Sequence, residues 1–70
     1  MFSIRLQNAD QTRTYSIASL NHAGWEVTLE REGELTRRVY DDWHRVERAL
    51  ARFRLEVNQL REQGWHEARP

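Results

Sequence analysis

The chain has 70 residues, 39% of them apolar and 31% charged, with eleven basic and eleven acidic side chains and a formal net charge of zero. One small domain is the most this length supports, and the composition excludes a disordered tail protein. The neutral balance speaks against a strongly basic nucleic-acid or membrane clamp. The absence of cysteine removes disulfides, thiolate metal sites and cysteine nucleophiles.

Residues 2–7 alternate, with Phe2, Ile4 and Leu6 on one side and Ser3, Arg5 and Gln7 on the other. This period of two predicts a half-buried strand. Asn8 to Gln11 is turn-like, and residues 12–19 resume the alternation through Tyr15 and Ile17. Pairing Ile4 with Tyr15 and Phe2 with Ile17 keeps the apolar sides together. After a turn at Asn21 to Gly24, Trp25, Val27 and Leu29 mark a third strand. A three-residue loop, Arg31-Glu32-Gly33, then leads into a fourth strand over about residues 34–40. That register sets Leu29 against Leu35 and Trp25 against Val39, with Glu26 opposite Arg38 on the other face. A two-residue loop would set Leu29 against Thr36 and Trp25 against Tyr40, and it is rejected here because it splits the apolar residues between faces.

Asp41 and Asp42 are both suited to cap a helix. From Trp43 the apolar residues Val46, Leu50, Phe53, Val57 and Leu60 recur every three or four positions. The stripe predicts a helix of about 20 residues, roughly 30 Å long. Gly64 suits the left-handed position of a Schellman ending, with Trp65 meeting Leu60. The expected fold class is therefore α+β: a four-stranded antiparallel meander sheet covered on one face by a single C-terminal helix. The domain is expected to span residues 1–65, with 66–70 a disordered tail. The same stripe can be written as heptads of a coiled-coil seam, but fewer than three heptads make a weak coil, and the sheet needs a cover.

The first ten residues hold no apolar h-region and no apolar run is long enough to cross a bilayer, so a cytoplasmic location and no membrane partner are expected. Arg45, Arg48 and Arg52 share the outer helix face with Leu55. They read either as a site for phosphates or an acidic partner or as a solvated face with local Asp41–Arg45 and Arg52–Glu56 pairs. The expected open sheet face carries Arg5, Glu26, Glu30, Arg38 and Tyr40. One aromatic and two glutamates oppose single-stranded nucleic-acid binding without excluding a weak site at Arg5, Arg38 and Tyr40. Arg13 and Arg37 fall in the apolar phase. Their stems are expected to cover the sheet ends, with a bordering anion site as the alternative.

Chemistry is sparse. His22, His44 and His66 stand apart, and Asp41, His44 and Glu47 form only a poor metal set. There is no nucleophile elbow, and three glycines do not make a phosphate loop. No cofactor, metal site or catalytic residue is expected. A core this small, without a covalent or metal staple, also predicts further burial by self-association as a homodimer.

The segments Gly24-Trp25, Tyr40-Asp41-Asp42-Trp43-His44-Arg45-Val46-Glu47-Arg48 and Gly64-Trp65 resemble a group of short uncharacterised bacterial proteins, a likeness that carries no chemistry. The strand order resembles the single-stranded-DNA-binding transcriptional coactivator fold, in which four strands precede a helix. That likeness implies dimers formed through the last strand and the helix. The neutral charge departs from that family's basic strand surface. The expectation is a small non-catalytic interaction module, self-associating or bound to an unidentified protein partner, with Arg38, Tyr40, Arg45, Arg48, Arg52 and Leu55 as contact residues. A weak single-stranded nucleic-acid binder is the alternative.

Overall fold

The computed structural model describes residues 2–68. Four strands, β1 (Phe2–Asn8), β2 (Gln11–Ser19), β3 (Trp25–Arg31) and β4 (Glu34–Tyr40), form the expected antiparallel meander. A helix, α1 (Trp43–Glu62), packs on one face, and a short strand, β5 (His66–Glu67), follows it. The sheet order is β4-β3-β2-β1-β5.

The β1–β2 register is the one the alternation predicts, with Phe2 opposite Ile17 and Ile4 opposite Tyr15. The helix starts at Asp42, whose Oδ1 accepts from the His44 backbone N–H at 3.0 Å. Its other end is a Schellman ending. Gly64 has φ +98°, the Trp65 N–H donates to the Leu60 carbonyl at 2.9 Å, and the Gly64 N–H donates to the Arg61 carbonyl at 3.1 Å. Leu60 and Trp65 are both buried.

The core joins Leu6, Tyr15, Ile17 and Val27 of the sheet to Val46, Ala49, Phe53, Val57 and Leu60 of the helix. Tyr15 and Phe53 meet edge to face, with ring centroids 4.9 Å apart. At the helix start Trp43 stays 40% exposed but packs against Trp25, the ring centroids 5.2 Å apart.

Two expectations are corrected. The first concerns the tail. His66 and Glu67 pair with Gln7 and Leu6 of β1, and the Ala68 N–H donates to the Arg5 carbonyl at 2.8 Å. The buried Trp65 anchors the chain beside β1, which brings these polar residues to an open sheet edge. Arg69 and Pro70, the rest of that expected tail, lie outside the described residues.

The second concerns the β3–β4 hairpin. Its loop has two residues, with Glu32 at φ +53° and Gly33 at φ +84°, and Leu29 faces Thr36 while Trp25 faces Tyr40. Both left-handed residues match a type I′ turn, whose twist suits the flanking strands. Thr36, Arg38 and Tyr40 therefore lie on the helix side of the sheet, and Leu35, Arg37 and Val39 on the open side. Glu26 pairs with Arg37 at 2.6 Å, and not with Arg38. Arg37 is thus not a cover for the helix-side sheet end.

The topology explains why Leu35 can be turned outward at little cost. The helix leaves the sheet at the β4 edge and returns at β5, so it must traverse four strand spacings of about 4.8 Å each. At roughly 30 Å it is longer than that distance and crosses on a diagonal, from the Tyr40 corner to the Leu6 corner. The Glu34 end of β4 lies off this diagonal. Turning Leu35 toward the helix side would gain little burial there.

Candidate interaction surface

The hairpin register brings together residues that the sequence reading placed on two separate surfaces. Arg38 and Tyr40 of β4 lie on the α1 side of the sheet, as does Arg52 of the helix. With Val27, Leu29, Thr36, Ala49 and Phe53 they line a groove of about 390 Å³ between β4 and the helix. Its lining mixes buried apolar side chains with two arginines that come from different elements, Arg38 from β4 and Arg52 from α1. No acidic side chain lines this groove among the described residues.

The remaining candidates do not join it. Arg45, Arg48 and Leu55 sit exposed on the outer helix face, Leu55 at 59%. The local Asp41–Arg45 and Arg52–Glu56 pairs do not form among the described residues. The ion pairs there are Glu26–Arg37 and a looser Arg61–Glu67 contact at 3.8 Å. Arg38 and Arg52 therefore carry charge without an acidic partner in this set.

The hairpin also produces a feature the sequence reading missed. β4 is an edge strand with six exposed residues and one half-buried residue, Tyr40. Leu35 is 62% exposed and Val39 51% exposed, two residues to either side of Arg37 on one face. The loop closes on the pair Arg31–Glu34. By the alternation of an antiparallel ladder, Leu35, Arg37 and Val39 then turn their N–H and C=O groups away from β3. None of the turn and loop backbone hydrogen bonds among the described residues engages them. The signal in the sequence was the Glu-Gly pair as the centre of a two-residue turn.

A second missed feature lies beneath the helix. Arg13 places its guanidinium over Trp65, 5.1 Å from the ring centroid, with its Nε buried, so its head does not simply reach water. The Tyr15 hydroxyl, Arg13 Nε and Glu56 Oε2 are buried and lack hydrogen-bond partners. Burial pushes the Tyr15 phenol above its ordinary pKa. The neighbouring Arg13 pulls it down, and Glu56 pushes it further up. A raised folded pKa contributes stability that is fully present below the unfolded value of about 10 and is lost as pH rises through the folded one. Tyr15→Phe is expected to change stability at neutral pH by no more than about 1 kcal/mol, since the hydroxyl has no partner to lose. It should also move the alkaline unfolding midpoint upward. Circular dichroism during a base titration checks this, and identical midpoints for the two proteins would contradict it.

No helix among the described residues is long and apolar enough to cross a membrane, and no cluster of His, Asp and Glu there has metal-binding geometry. No family model, curated protein or solved structure matches the chain.

Proposed function

We propose that the chain is a small non-catalytic interaction module of the cytoplasm that self-associates by pairing β4 with β4 of a second copy. The observation that carries this reading is the uncovered β4 edge, with Leu35 and Val39 exposed on it. Uncovered edges with exposed apolar residues are templates for strand pairing, and natural sheets often block them with charge; on this face the charge of Arg37 is held by Glu26. This sheet guards its other edge, where β5 is only two residues long.

The β4 sequence is complementary to itself. An antiparallel register with its two-fold axis at Arg37 pairs all seven residues. On the open face it sets Leu35 against Val39 of the second copy, twice. The two central arginines are each already held by their own Glu26. On the helix side Glu34 lies diagonal to Arg38 of the second copy, within reach of long side chains. The result is an isologous dimer in which the two sheets become one. Sedimentation equilibrium across the micromolar range tests the reading. A monomer–dimer equilibrium is expected, and a monomer at every concentration would refute it.

A further inference from the structure

We infer that the groove between β4 and α1 is a docking site for an extended acidic segment of a partner protein, one that carries an apolar side chain between its carboxylates. This adds a ligand class to the interaction-module reading. The groove is complete within one chain, and because Glu34 of a paired copy would reach toward Arg38, the binding test is run at concentrations where the monomer prevails.

The chemistry of the walls selects the ligand. Arg38 and Arg52 come from different elements and have no acidic partner among the described residues. A guanidinium offers a planar fork of donors that matches a carboxylate, and such charge-assisted bonds are the stronger kind. Tyr40 and Thr36 add hydroxyls on the β4 wall. Val27, Leu29, Ala49 and Phe53 also line the groove, and the partly exposed Leu29 offers one apolar contact beside the arginines.

The same features disfavour the other occupants. Single-stranded nucleic acid is held by two or three stacking aromatics in a basic groove. Here the aromatic wall residue is Tyr40 alone, itself half-buried, and Phe53 is buried. The hairpin register does separate Arg38 and Tyr40 from Glu26 and Glu30, so nucleic acid is the proper competitor in the test. A second copy of β4 would bring its own Arg38 toward these arginines and is suited to the strand edge, not to the groove.

The test uses the full chain and a fluorescein-labelled peptide in which aspartates and glutamates flank one leucine, read by anisotropy. Arg52→Gln and Arg38→Gln are each expected to weaken binding about tenfold, and replacing the peptide's leucine with serine by a similar factor. Arg52 lies off the β4 edge, so its effect is separable from dimerisation, and sedimentation of the same variant confirms an unchanged oligomeric state. Both arginines are exposed, and circular dichroism verifies folding. Absence of peptide binding, binding unchanged in the double variant, or tighter binding of oligothymidylate would each overturn the assignment.

Discussion

Gly24→Ala is expected to remove about 4 kcal/mol of the stability of this chain. Gly24 has φ +100°, and a Cβ built there would lie 2.2 Å from the Tyr40 carbonyl oxygen and 3.1 Å from the Asp41 Cα. Both obstacles are backbone, at the point where β4 hands over to the helix, so no side chain can swing aside. Left-handed strain and overpacking together cost about 4 kcal/mol. A domain of this size is stable by roughly 4–10 kcal/mol. Gly33 is the internal control. It also has a positive φ, of +84°, but a Cβ there meets nothing within 4 Å. Gly33→Ala should cost about 1 kcal/mol. Urea titrations followed by tryptophan fluorescence would show the contrast. Equal losses at the two positions would contradict the close approach of the Gly24 turn to the end of β4.

Leu35→Lys is expected to dissociate the dimer while leaving the monomer folded. Leu35 contacts little within its own chain, at 62% exposure. A substitution at such a surface position changes folding stability by about 0.5 kcal/mol or less. In the two-fold arrangement it occurs twice, each time against Val39 of the second copy. Losing two buried leucines at about 1.5–3 kcal/mol apiece weakens association at least roughly a hundredfold. Lysine on an edge strand is also a residue natural sheets use to prevent pairing. Leu55→Lys, at the similarly exposed position on the outer helix face, should leave the dimer intact. Sedimentation equilibrium of both variants decides between the strand and the helix as the contact surface. Dissociation by Leu55→Lys with retention by Leu35→Lys would move the interface to the helix.

Much of the fold was legible because its signals are local. The apolar stripe from Val46 to Leu60 gave the helix, Asp42 and Gly64 gave its ends, and the alternation about Tyr15 and Ile17 gave the β1–β2 register. The β3–β4 hairpin was misread for a specific reason. Matching Leu35 and Val39 to Leu29 and Trp25 assumes that the helix covers all four strands alike. A helix crossing on the diagonal leaves most of β4 uncovered, so turn chemistry at Glu32-Gly33 outweighs the match of faces there. β5 carried no pattern, since His66 and Glu67 are polar and their pairing is dictated by the burial of Trp65. The candidate site was half legible. Arg38, Tyr40 and Arg52 are all recognisable in the sequence as candidates, but on two faces, and only the true register brings them into one groove.

The register of β4 underlies both proposals, and amide hydrogen exchange along this strand at two protein concentrations tests it most directly. At low concentration the Thr36, Arg38 and Tyr40 amides, bonded to β3, should exchange slowly, and those of Leu35, Arg37 and Val39 quickly. At high concentration the second set should become protected as the edges pair. Protection of Leu35, Arg37 and Val39 in the dilute monomer, or rapid exchange of these three at every concentration, would contradict the account.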